Sequence, residues 1–231
     1  MRAIFMLLAV LAPSGGAVAQ SGDAARVRPA DVLWAAAGGL LATAPRLLDD
    51  DSRAPRCAPC NPATVPWFDR WAVGQPRRAW DDGSTLLLAG LGMATWWDLS
   101  HDLTQSDWDR VTASMQSGFW ALGVTELVKA VVARPRPVLF SPGAPAAARN
   151  IGNQRSMPSG HAAAAFALAT SYALGLEARP GGGAVAPVGA VTAAAGVGAL
   201  RIAARRHFLS DVLVGAAVGT LSALIVSEIR F

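Results

Sequence analysis

Long apolar runs alternate with short polar or Pro-rich links along this chain, and the runs set its architecture. Asp31 to Leu48 is apolar and stops in Asp49-Asp50-Asp51, Ser84 to Trp97 is the second run, and Val111 to Ala133 the third. Three more follow, Ala162 to Glu177, Ala184 to Ala204 and Val212 to Ile229, with Gly181-Gly182-Gly183 marking the turn between the first two. Val185 to Ala199 contains Val and Thr that suit a strand, but run length and alanine content favour helix throughout. Small residues are spread through the last three runs, as helices need for close approach in lipid or in a soluble bundle. The pattern predicts an all-α fold, a six-helix bundle in one domain over residues 30–231. Several apolar stretches are only ~14 to 18 residues long, at or below what a bilayer span needs.

The links and interruptions carry their own information. Gln116, Glu126 and Lys129 interrupt the third run, and ionisable residues inside such a segment imply an inward, functional face. Trp96-Trp97 closes the second run as an interfacial belt would. Ser52 to Gly83 is rich in Pro, Arg and Trp and reads as a loop with one short amphipathic helix at Trp67 to Val73. Trp and Arg together there suit a lipid headgroup zone, or equally a packed surface loop.

Composition narrows the class without closing it. Hydrophobic residues are 52% of the 231 and charged residues 16%, and mean hydropathy is +0.34, which leaves membrane and soluble readings open. A net charge of +4 is too mild to indicate nucleic acid. Met1-Arg2, the apolar run Ala3 to Ala12 and Ala17-Val18-Ala19 have the shape of a signal peptide over residues 1–19, cleaved after Ala19, or of an uncleaved first anchor. Cys57 and Cys60 are the two cysteines. They lack the further ligands of a zinc site and the βαβ context of a redox motif, so a local disulfide in an oxidising compartment is the expected state.

Three short motifs carry the candidate chemistry, and each lies at a helix boundary. Met157-Pro158-Ser159-Gly160-His161 opens an Ala-rich helix: Ser159 is a good N-cap, Gly160 lets a ligand approach the backbone, and the following N–H groups are free for an anion. His161 beside it can carry a proton near neutral pH. Lys129 and Arg136 bracket another helix end, with Pro137 after, and both cations can meet one anion. Arg134 lies in the same loop, but Pro135 and Pro137 make the segment extended, so neighbouring side chains point in different directions and Arg134 is not assigned to the ligand. In the third cluster, Asp211 follows His207 by four residues, a spacing that lets a carboxylate reach one imidazole nitrogen and leaves the other to attack. Arg201 precedes His207 and can clamp phosphate oxygens. Arg205 and Arg206 read as solvent- or headgroup-facing, Glu126 as a partner of Lys129, and His101 as a solvated loop residue.

In this order, KxxxxxxRP, PSGH and RxxxxxHxxxD resemble the tripartite signature of the type 2 phosphatidic acid phosphatase (phosphatidic acid phosphatase type 2/haloperoxidase) superfamily, a likeness that covers roughly residues 111–227. The resemblance implies that His207 attacks phosphorus to give a phosphohistidine and that Asp211 orients it. It implies that His161 protonates the leaving oxygen and then activates water. Lys129, Arg136, Arg201, Ser159 and the Gly160 amide would hold the phosphoryl oxygens, with no metal or other cofactor required. The family's third motif has Ser before its arginine, where this chain has Leu200, so one phosphate hydrogen bond is missing from the expected set.

The expected activity is therefore a phosphatase acting on a monoester or diphosphate, of a lipid if the helices are membrane-embedded. A soluble periplasmic acid phosphatase of broad specificity is the alternative, and a vanadium haloperoxidase or a non-catalytic phosphate-binding membrane protein ranks below both. By resemblance the site faces the periplasm from a multi-pass inner-membrane protein. A cleaved signal followed by six spans would instead put the motifs on the cytoplasmic side.

Overall fold

The computed structural model describes residues 28–47, 57–100, 104–177 and 183–230. The signal-like segment, the Asp49–Asp51 stop and His101 lie outside them. Among the described residues the fold is all-α. Its long helices are α1 (Pro29–Leu47), α2 (Arg78–Leu99), α3 (Gln105–Val132), α4 (Gly160–Glu177), α5 (Val185–Ala203) and α6 (Leu209–Arg230), with a single helical turn at Ala144–Ala147 and short 3-10 turns.

The helix limits follow local chemistry that hydropathy does not register. α2 begins at Arg78, before the apolar run from Ser84, because its first turns are polar and place Asp81 where a carboxylate favours the helix dipole. α3 opens with a capping box. The Thr104 hydroxyl accepts from the Asp107 N–H, and the Asp107 carboxylate accepts from the Thr104 N–H, an arrangement contributing about 1 kcal/mol. It ends with Ala133 in the left-handed region at φ 43°, just before Pro135 forbids continuation. The expected helix at Trp67 to Val73 is only the 3-10 turn Arg70–Ala72, because this stretch is held by long-range bonds to its Asp69.

Helix α4 is the central element and packs on α2, α3, α5 and α6, while α1 lies against α3. Its close contact with α6 depends on small residues. A Cβ on Gly219 would lie 2.2 Å from the carbonyl oxygen of Ala163, and one on Gly215 2.5 Å from that of Ser159. No larger residue fits without separating the helices. α1 meets α3 through Trp34 and Trp120, whose ring centroids are 4.7 Å apart. A cluster including Leu91, Val111, Ala165, Tyr172, Ala194 and Val197 joins α2, α3, α4 and α5.

The alternating chain direction gathers chemistry at one end of the bundle. The C-terminal turns of α3 and α5 and the N-terminal turns of α2, α4 and α6 meet there. At the opposite end Arg230 pairs with Asp31 at 3.1 Å and donates to the Gln116 side chain at 2.7 Å. Gln116, read from sequence as part of an inward functional face, is indeed buried, but it fastens this far end.

Candidate active site

All three motifs reach the same end of the bundle, and backbone bonds hold them in register. The Ser159 N–H donates to the Asp211 carbonyl oxygen at 2.9 Å, tying the start of α4 to the start of α6. The Ser156 N–H donates to the Arg134 carbonyl oxygen at 2.8 Å, tying the loop before α4 to the loop after α3. Gly160 is the first residue of α4. The Lys129 ammonium lies 3.6 Å from where a Cβ on Gly160 would be. Burial, with the charges of Arg201, Lys129 and Arg136 adding to it and Asp81 opposing, lowers the His161 pKa to about 4, so the proton expected on it near neutral pH requires an anion bound beside it.

The arginines differ in what they hold. Arg134 donates to Asp211 at 2.6 Å and to Asp69 at 2.8 Å and stacks 4.2 Å over the Phe208 ring, so it belongs to the framework. Among the described residues, the buried Nε of Arg136 and that of Arg201 find no hydrogen-bond partner. Burial, then the nearby Arg201 and Arg206, lowers the Arg136 pKa to about 10, so it stays cationic at neutral pH. A buried, unpaired guanidinium N–H is costly. An anion between these arginines would satisfy both.

His207 is buried, and its Nδ1 lies 2.8 Å from the carbonyl oxygen of Ser156. A carbonyl only accepts, so Nδ1 carries the proton and Nε2 is left with a lone pair. The nearest Asp211 oxygen is 3.7 Å from Nδ1, beyond hydrogen-bond reach. The i, i+4 spacing thus brings the carboxylate alongside the ring while a backbone carbonyl makes the direct bond. Asp211 is itself held by Arg134, by the Ser156 hydroxyl and by the Phe208 N–H. Burial lowers the His207 pKa to about 3, with the positive charges of Arg136 and Arg201 adding to the effect and Asp211 opposing it. The ring is neutral and nucleophilic over the physiological range.

The first turns of α2 supply a wall of the site that the motifs do not include. Asp81 pairs with Arg201 and also accepts from Arg206 Nε at 2.7 Å. Ser84 accepts from Arg201 at 3.1 Å, and the Thr85 hydroxyl lies 3.2 Å from His161 Nε2. Arg206 stays partly exposed, as its sequence position suggested, while its guanidinium reaches Asp81. The signal for these residues was their spacing: positions 81, 84 and 85 share one helix face, visible once α2 is started at Arg78. Glu126 pairs with Lys129 at 2.7 Å, as its position one turn earlier indicated. Cys57 and Cys60 are joined in a disulfide that packs on Val138, Leu139 and Ala144, beside the Arg136 loop. Among the described residues no cluster of three or more His, Cys, Asp or Glu side chains is arranged to hold a metal ion.

Comparison with known proteins gives one family. The PAP2 superfamily model matches residues 113–231, just over half of the chain, and this range contains all three motifs. Neither the curated proteins nor the solved structures give a match.

Proposed function

The chain belongs to the PAP2 superfamily, whose activities are of the phosphatase or haloperoxidase type, and from that premise we propose that it hydrolyses phosphate esters or diphosphates of lipids through a phosphohistidine. The observation that carries this reading is the pair of buried, unpartnered guanidinium nitrogens on Arg136 and Arg201 beside a neutral histidine whose proton is fixed on Nδ1. That is an anion site with a nucleophile at its edge.

In the proposed reaction the phosphoryl group sits among Lys129, Arg136, Arg201, the Ser159 hydroxyl and the amides at the start of α4, where the helix dipole favours negative charge. His207 Nε2 forms the P–N bond as the P–O bond to the leaving group breaks. His161 donates a proton to the departing oxygen, then takes one from the water that hydrolyses the phosphohistidine. Asp211 stabilises the positive charge that the ring acquires.

The lipid substrate rests on the outer surface. α5 and α6 are long and apolar enough to cross a membrane, and only a third of each candidate span is buried in the protein. Leu33, Leu40, Leu86 and Met93 add exposed apolar side chains on α1 and α2. At the site end Trp67, Trp71 and Trp80 are exposed, and at the other end of α2 so are Trp96 and Trp97. Trp80 and Trp96 are sixteen residues apart on α2, or about 24 Å along a helix, most of the ~30 Å bilayer core that two aromatic belts would bracket. The disulfide at the site end fits an oxidising, periplasmic side. Phosphate release by purified protein from lipid phosphates and from an aryl phosphate tests the activity. Loss of both in His207→Ala is the expected result, and unchanged release from that variant would exclude the enzymatic reading.

A further inference from the structure

Asp69 is a fully buried carboxylate contributed by the Pro-, Arg- and Trp-rich loop before α2, outside the range of the family match. One of its oxygens accepts from Arg134 at 2.8 Å and from the Ser210 hydroxyl at 2.6 Å. The other accepts from the Ser210 N–H at 3.1 Å, in the first turn of α6. Asp69 thus grips the helix start that carries Asp211, and the guanidinium that Asp211 also holds. We infer that Asp69 is a positioning residue for the nucleophile, acting on His207 through Arg134 and Asp211. The inference rests on the phosphohistidine reading above.

Charge is what Asp69 adds to this network. Arg134 lies between two buried carboxylates, Asp211 on one amino group and Asp69 on the other. The three groups together carry a net charge of −1. Were Asp69 neutral, Arg134 would cancel Asp211 and the group facing His207 would carry none. This matters in the covalent step. When Nε2 forms the P–N bond and the leaving oxygen departs with the proton from His161, Nδ1 keeps its own proton and the imidazole ring becomes cationic. A net negative neighbour favours that cation over the neutral ring, and in a buried setting such a charge acts strongly. Burying a carboxylate is costly even when it is paired. A neutral Ser or Asn could cap α6 equally well, so capping does not account for a carboxylate. Among the described residues the Asp69 carboxylate bonds to Arg134 and Ser210 and not to Lys129, Arg136, Arg201 or Ser159, so its removal should leave phosphate binding alone.

The test uses the full-length protein with an aryl phosphate, reading kcat, KM, inhibition by inorganic phosphate and the amount of phosphohistidine trapped. Asp69→Asn keeps the size and removes the charge, and it is expected to lower kcat and the phosphohistidine yield by ~10-fold, the effect of one pKa unit of lost stabilisation. KM and the inhibition constant for phosphate should stay within about twofold of wild type on the same scale. Asp69→Glu keeps the charge and should retain most of the turnover. The inference is overturned if Asp69→Asn turns over normally, if phosphate affinity falls in parallel with kcat, or if Asp69→Glu is impaired as badly as Asp69→Asn. Should Asp69→Asn not fold, Asp69→Glu carries the test: near-normal phosphohistidine formation supports the inference and a tenfold loss overturns it. Wild-type protein that forms no phosphohistidine would instead remove the underlying reading.

Discussion

The Nδ1–H of His207 donates to the carbonyl oxygen of Ser156 at 2.8 Å, while the nearest Asp211 oxygen stands 3.7 Å away. The backbone of the loop before α4 therefore fixes the tautomer, and Asp211 acts through its charge and through the network it anchors. Where a carboxylate alone fixes the histidine, its conversion to the amide costs about 10⁴ in kcat. Here the tautomer survives the change, so Asp211→Asn should lose less, about 10²-fold in kcat, since charge stabilisation is lost without tautomer control. Steady-state kinetics of the folded variant check this, and a loss of 10⁴ or more would indicate that Asp211 holds the tautomer after all.

Arg136 and Arg201 present unpartnered Nε groups, so their main work should be anion binding. Arg136→Met and Arg201→Met are each expected to weaken competitive inhibition by inorganic phosphate by ~10- to 100-fold, the worth of one or two charge-assisted hydrogen bonds. Arg134→Met should instead lower thermal stability, because it strands the buried carboxylates of Asp69 and Asp211. Inhibition constants and melting temperatures separate the two classes, and equal effects at all three arginines would refute the division.

Burial depresses the His207 pKa to about 3, and the sign of the pH effect follows. Between pH 6.5 and about 3 the unfolded chain binds a proton at this position that the folded chain does not, so stability falls as pH falls through that window and is unaffected above it. At pH 4 the penalty is on the order of 3 kcal/mol. Replacing His207 with Gln removes it, so the drop in melting temperature between pH 7 and pH 4 should be smaller in the variant than in wild type. An identical drop would mean that His207 titrates normally in the folded protein.

The three motifs could be read from the sequence because their residues are close in the chain and each sits at a helix end. What joins them could not. Ser156, Asp69 and Asp81 reach the site only through tertiary contacts across loops and helices, and hydropathy places α2 too late to show that Asp81, Ser84 and Thr85 share a face. The expectation that Pro135 and Pro137 would aim neighbouring side chains apart matches the structure, where Arg134 turns to the carboxylates and the Nε of Arg136 is left without a partner. The helix expected at Trp67 to Val73 shows the limit of local patterns. Its amphipathic spacing comes from Asp69 pointing inward between the outward Trp67 and Trp71, an arrangement that a 3-10 turn achieves as well.

The disulfide and the site share one end of the bundle, and Arg230 lies at the other. If the site faces the periplasm, the end of α6 faces the cytoplasm. A fluorescent reporter that matures only in the cytoplasm, fused after Phe231, should be bright, and a reporter active only in the periplasm should be silent at the same position. The reverse result would place the site on the cytoplasmic side.

Trapping the covalent intermediate shows whether His207 is the nucleophile. Rapid denaturation of enzyme turning over an activated aryl phosphate should yield an acid-labile, base-stable phosphoryl group on the peptide containing His207. That adduct should accumulate in His161→Ala, where water is no longer activated, and vanish in His207→Gln. A phosphoenzyme that persists in His207→Gln, or a modified peptide elsewhere in the chain, would mean that another residue is the nucleophile.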